Sequence, residues 1–356
     1  MNTTNQTLGS GIETRKDELA NLIVDEQWAR NPQFKDHYGE TGHAKCVQDV
    51  KYNLSYLSQA IASDSPPLFV TYIAWVKTLF QGLKIPTHEL SESLEITDSI
   101  LKQHFPGGDT VPIIEHFIKI GIQHLRDVPA AAASFFDESL PYAALGHQYL
   151  ETLRHGDRSS ASQLILDVIE QGMPIKDVYL QVFQPSQYEI GRLWQTNQMS
   201  VAEEHYCTAA TQLIMAQLYS TIFNTPKNGR RLVATCVGNE LHEMGLHMVA
   251  DFFEMEGWDT YYLGSNTPTP GILQTLAERR PDVLAISATM TFHIKLVADL
   301  IEQVRVIDPH ERIKILVGGY PFNIEKELWR QVGADGYAHD AEHAIATAHS
   351  LMEARA

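Results

Sequence analysis

Glu240-Leu241-His242-Glu243-Met244-Gly245 has the form acidic-x-His-x-x-Gly. A histidine on a loop can offer a neutral imidazole to a metal, and an acidic residue two positions earlier can hold its other ring nitrogen. Upstream stands Trp194, followed after nine residues by Glu204-His205. An aromatic face packs on an organic ligand and a carboxylate accepts from hydroxyls. A bare metal site has no use for this second pattern, which reads as a lid over something held above the metal.

The elements that must position these residues follow from periodicity. From Arg230 onward strand and helix alternate, with strands predicted at Arg231–Val237, Asp259–Gly264, Val283–Ser287, Lys314–Val317 and Gly336–Ala338. Each of the first four leads into an amphipathic helix, and the last into a closing helix. Such alternation predicts a doubly wound parallel sheet, whose ligands sit beyond the carboxyl ends of the strands. His242, Ser287 and Gly318-Gly319 fall at those ends. Upstream the period is helical. Val50, Leu54, Leu57 and Ile61 share one face, as do Leu68, Tyr72, Trp75 and Leu79. Ser200-Val201-Ala202-Glu203 forms a capping box that starts a long helix carrying Glu204 and His205 in its first turn.

The fold class expected is multidomain: an all-α N-terminal domain (1–138, five to seven helices), a four-helix bundle (139–226) and a C-terminal α/β Rossmann-like domain (229–356). The polar stretch Asn224–Gly229 is the linker between the last two.

The 356 residues carry 27 Lys+Arg against 44 Asp+Glu, a net charge of −17. That argues against a nucleic-acid partner, which needs clustered positive charge. No apolar run has the length of a membrane span, and the polar, uncharged N-terminus lacks the form of a signal peptide. Cys46, Cys207 and Cys236 form no C-x-x-C, which fits a reducing cytoplasm.

Residues 230–356 resemble a cobalamin-binding Rossmann-like domain. The resemblance rests on Glu240-x-His242-x-x-Gly245, on Ser287-Ala288-Thr289 and on Gly318-Gly319. It implies that His242 is the lower axial ligand of cobalt in place of the vitamin's own base. The detached nucleotide tail would run into the sheet past Gly245, Ser287, Thr289, Gly318 and Gly319. The family more often has aspartate where Glu240 stands.

Residues 140–223 resemble the four-helix cap of cobalamin photoreceptors of the CarH type, on the segment Glu189–His205 with its Trp-x9-Glu-His. This implies adenosylcobalamin as cofactor, with Trp194 over the adenosyl group and Glu204 and His205 lining the same pocket. Gln195 departs from that family, which has a histidine directly after the tryptophan.

The stretch Tyr56–Ile61 with Pro67–Lys77 resembles the N-terminal region of the photocobilins, sensors that combine cobalamin with biliverdin. Tyr52, Tyr56, Tyr72 and Trp75, with Lys51, are the candidate bilin-pocket residues.

Together these resemblances imply a non-enzymatic light sensor. Photolysis of the Co–C bond would move the cap and pass the signal either to a separate output protein or through the state of a light-dependent homo-oligomer. The alternative is a corrinoid protein that shuttles methyl groups between methyltransferases. A mutase subunit would need a substrate barrel of about 250 residues, which is absent from this sequence unless a second chain supplies it.

His339-Asp340-Ala341-Glu342-His343 has the His-x-x-Glu-His form of a zinc site. No third ligand is evident in it, and Asp340 as a helix N-cap is the better account.

Overall fold

The protein is described by a computed structural model over residues 3–127 and 133–353. Residues 1–2, 128–132 and 354–356, which fall within the expected N-terminal and C-terminal domains, lie outside the described residues.

The N-terminal block is helical throughout: α1 (Thr3–Thr14), α2 (Lys16–Arg30), the short α3 (Phe34–Tyr38), α4 (Gly42–Ala62), α5 (Pro66–Gly82), α6 (Thr87–His104) and α7 (Thr110–Asp127). Pro66 and Pro67 open α5, where a missing backbone N–H costs nothing. On α4 the predicted face is buried: Val50, Leu54, Leu57 and Ile61 are all core residues. On α5 the face is rotated from the one expected. Phe69, Ile73 and Val76 are buried beside Leu68 and Tyr72, whereas Trp75 is 38% exposed. The stripe is wider than a single i, i+4 row, and Trp75 sits on its rim.

The second block contains α8 (Ala143–Arg154), α9 (Arg158–Glu170), α10 (Ile175–Val178), a π-helical turn (Tyr179–Phe183), α11 (Gln184–Gln195), α12 (Val201–Gln217) and α13 (Tyr219–Ile222). Asp157 caps α9 by accepting from the Ser160 amide. Ser200 and Glu203 form the reciprocal capping box on α12. These helices share one apolar core with Met248, Phe252 and Ala341 of the sheet domain.

The third block contains β1 (Arg231–Cys236), α14 (Met244–Met255), β2 (Asp259–Gly264), α15 (Thr269–Arg279), β3 (Val283–Ser287), a 3-10 turn (Thr291–His293), α16 (Ile294–Ile307), β4 (Lys314–Gly318), α17 (Tyr320–Ile324), α18 (Leu328–Gln331), β5 (Gly336–Tyr337) and α19 (Ala341–Glu353). The strands pair in parallel in the order β2-β1-β3-β4-β5. The one departure from expectation follows β4, where two short helices replace a single amphipathic one. In this order the connection reverses direction between β1 and β3, so the loops leaving those two strands open a crevice at the carboxyl edge.

The N-terminal block is not an appendage. Its core is continuous with the sheet face covered by α15 and α16. No helix among the described residues is long and apolar enough to cross a membrane.

Candidate functional site

The site is built on the loop that leaves β1. Glu240 is fully buried there, yet it is a carboxylate. Burial alone pushes a carboxyl upward. Here hydrogen bonds from the His242 and His293 rings and from the His242 and Thr289 amides outweigh it and hold Glu240 far below the ordinary range. Oε1 accepts from His242 Nδ1 at 2.7 Å and from the His242 amide at 3.0 Å. Oε2 accepts from the Thr289 amide at 2.7 Å, the Met290 amide at 3.1 Å and His293 Nδ1 at 2.9 Å. One side chain thus ties the β1 loop to the β3 loop across the switch point.

An ionised carboxylate only accepts, so both imidazoles present Nδ1–H to it, and in the neutral ring Nε2 is then the acceptor nitrogen. His242 is 58% exposed at its side chain. Its pKa is raised, first by the bond to Glu240, against burial, with the charges of Glu240 and Glu204 adding to it. His293 is 4% exposed. The sequence reading missed it because nothing local marks it. Its six-residue offset from Ser287 acquires meaning only once β1 and β3 are neighbours.

The neighbouring loops lock this arrangement. Glu243 accepts from the Ser265 amide at 2.8 Å and from Gln212 Nε2 of α12 at 3.0 Å. Gly319 has φ +102°, and a Cβ there would lie 2.1 Å from the Ala288 carbonyl oxygen. A Cβ on Gly318 would come within 3.0 Å of the Ala338 carbonyl. The two glycines therefore serve close backbone packing at the carboxyl edge. Gly245 has open space around its Cα position, and Ser287, in register with Cys236 and Gly318, is half-buried at the end of β3.

Above the loop lies α12. Glu204 accepts from Thr208 Oγ1 at 3.0 Å and pairs with His205 Nδ1. The His205 side chain is 75% exposed. Trp194 meets Trp75 of α5, with ring centroids 6.0 Å apart. Gln195 is buried and donates from Nε2 to the Trp75 carbonyl at 2.9 Å.

The candidate bilin residues form a column. Tyr56 and Tyr72 stack with centroids 3.7 Å apart, and Trp75 continues the column 6.4 Å beyond Tyr72. Tyr56 also meets Phe292 of the β3 loop edge-on. No ring can enter between Tyr56 and Tyr72 at that spacing. Tyr52 is 45% exposed, and Lys51 is paired with Asp17 at 2.9 Å. Burial pushes the Cys46 thiol upward, which disfavours the reactive thiolate.

Three families match segments of the chain: two described as B12 binding domain, at residues 230–347 and 145–219, and one described as Phycobilisome protein, at residues 9–138. This is a cobalamin-binding chain. A dimethylamine corrinoid protein of Methanosarcina acetivorans is 28% identical over 166 residues, 46% of this chain and 74% of that protein. A corrinoid protein of Desulfitobacterium hafniense is 21% identical over 202 residues, 55% of this chain and 92% of that protein. The solved monomethylamine corrinoid protein of Methanosarcina barkeri superposes with a TM-score of 0.51 at 17% identity. It covers 60% of this chain and 99% of that chain, and the likeness supports the fold alone.

These relatives correct the light-sensing expectation. The Methanosarcina acetivorans relatives are dimethylamine corrinoid proteins by name, and they favour the alternative of methyl carriage. Gln195 does not need explaining as a lost cobalt ligand either, because its amide is used in the bond to Trp75.

The donor chemistry fits a corrinoid. Glu240 fixes the His242 tautomer and leaves the opposite ring nitrogen for a metal. Gly245, with open space at its Cα position, leaves room where a nucleotide tail would approach.

Proposed function

We propose that this chain is a corrinoid carrier that shuttles methyl groups between methyltransferases and is not itself the catalyst. The observation that carries the reading is the Glu240–His242 hydrogen bond on the loop leaving β1, on a chain whose relatives bear the names of methylamine corrinoid proteins. The corrinoid, when bound, supplies a cobalt centre able to accept and give up a methyl group. His242 would be a ligand to its cobalt, oriented by Glu240. Ser287, Thr289, Gly318 and Gly319 would border the nucleotide tail. Residues 139–226, with Trp194, Glu204 and His205, would form a lid over the bound corrinoid and would have to give each partner enzyme access to it.

The test uses the reduced, corrinoid-loaded protein mixed with methylamine:corrinoid methyltransferases and their amines. Methylation of the bound corrinoid above that of free cobalamin, read by absorbance, supports the proposal. A rate no better than free cobalamin with every enzyme overturns it.

A second ligand is favoured by the Phycobilisome match over residues 9–138. We infer that the N-terminal block holds a linear tetrapyrrole of the biliverdin class against the exposed edges of Tyr52 and Trp75, at the outside of the Tyr56–Tyr72 stack. Biliverdin added to the cobalamin-loaded protein should give a stoichiometric red-shifted band, weakened in Trp75→Ala. Absence of any uptake removes this second ligand and leaves the carrier reading untouched.

A further inference from the structure

The turn from β5 into α19 gathers three ligand-bearing side chains that the corrinoid site does not use. Asp340 Oδ1 accepts from the His343 amide at 2.8 Å, which makes it the N-cap of α19 as its position predicts. The same oxygen lies 2.8 Å from His343 Nδ1, and Oδ2 lies 3.1 Å from His339 Nε2. The two imidazole centroids are 3.7 Å apart. One ligand atom from each of the three residues falls within a group no wider than 4.8 Å. The third ligand that sequence spacing failed to reveal is therefore the capping aspartate itself.

We propose that His339, Asp340 and His343 bind one late first-row divalent cation of the zinc class, with solvent completing the coordination. Two nitrogens and one carboxylate oxygen match the ligand preference of zinc, and a three-residue set with an open fourth position is one of its standard arrangements. His339 precedes α19 and His343 lies in its first turn, and the contact between their rings shows that both project to the same side. The side chains are 50%, 25% and 57% exposed. They can draw together the last ångström without dislodging a core residue. The α19 dipole opposes a cation at this end. Asp340 answers it by spending one oxygen on the cap and keeping the other, Oδ2, turned to His339. The site is also placed to matter, since the next residue, Ala341, packs into the core of the second helical block. A cation here would fasten the β5–α19 turn where the sheet domain meets that block.

Full-length, cobalamin-loaded protein, stripped with chelator and desalted, should be titrated with zinc chloride by calorimetry and assayed for zinc after gel filtration. Cobalamin occupancy keeps His242 out of the measurement. The expected result is one more zinc per chain in wild type than in the His339→Ala/His343→Ala double variant, and at least tenfold weaker binding in Asp340→Asn. Asparagine preserves the cap, so that variant reports the lost ligand. If it nevertheless disturbs the helix start by circular dichroism, the double histidine variant, which leaves the cap intact, decides alone. Equal zinc in wild type and double variant overturns the site.

Discussion

Glu240 and His293 lie 53 residues apart in sequence and 2.9 Å apart in the fold, carboxylate to imidazole. The bond makes His293 a positioning residue for His242, acting through the shared carboxylate. His293→Ala should leave the Glu240 Oε2 side short of a donor and loosen the loop. Outer partners of this kind change metal affinity by about 10–100-fold. Equilibrium dialysis should show cobalamin retention reduced within that range, with partial recovery in His293→Asn, which keeps a donor. Unchanged retention in His293→Ala would make the residue merely structural.

His242→Ala, loaded with cobalamin, should lose the imidazole-ligated spectrum or the cofactor. An absorbance spectrum identical to wild type in the loaded variant would remove His242 from the metal.

Gly319→Ala forces a side chain to within 2.1 Å of the Ala288 carbonyl at φ +102°. A steric conflict with backbone on top of an unfavourable dihedral costs on the order of 2 kcal/mol or more. The urea midpoint should drop accordingly, and cobalamin retention with it. A midpoint equal to wild type would mean that this turn has slack.

Asp251, on α14, is buried against the second helical block. Burial pushes its carboxyl up to about 7, against hydrogen bonds from Tyr179, at 2.7 Å, and Tyr219 and with the Glu254 charge adding to the rise. His247, which faces the same pocket and meets the Tyr219 hydroxyl at 2.6 Å, is lowered by burial. The signs oppose. A raised carboxyl contributes stability that is complete below the unfolded value of about 3.9 and is lost as pH rises to about 7. A lowered imidazole contributes stability above its unfolded value that is lost as pH falls. Asp251→Asn isolates the first effect. Its stability relative to wild type should grow between pH 4 and about 7 and level off beyond, by an amount on the order of a few kcal/mol. A constant difference across that range in urea titrations would contradict it.

Gln195 and Gly82 join the N-terminal block to the second. Gln195 Nε2 reaches the Trp75 carbonyl, and a Cβ on Gly82 would meet the Thr196 backbone at 2.7 Å. Gly82→Val should wedge the blocks apart, and Gln195→Ala should remove the side-chain bond to the Trp75 carbonyl, at a cost of about 0.5–1.5 kcal/mol. Limited proteolysis between the blocks should accelerate in both, and more in Gly82→Val. Cleavage rates equal to wild type would show that the apolar contacts suffice.

The sequence alone determined what is local. Strand–helix alternation placed the five strands within a residue or two, because burial on both faces writes continuous apolar runs into the central strands β1, β3 and β4. The capping box at Ser200 and the Asp340 cap were legible because their partners lie three residues away. The acidic-x-His pair was legible for the same reason. What the tertiary structure decided is which distant loops meet. The strand order brings the β1 and β3 exits together, so that Glu240 finds His293 and the Thr289 and Met290 amides. The same packing builds the aromatic column from Tyr56 through Tyr72 and Trp75 to Trp194, crossing from the first block to the second. It also turns Gln195 from a missing ligand into a bond between domains. Periodicity reports which face of an element is buried; it carries no information about the partner that buries it, and at this site the partners set the chemistry.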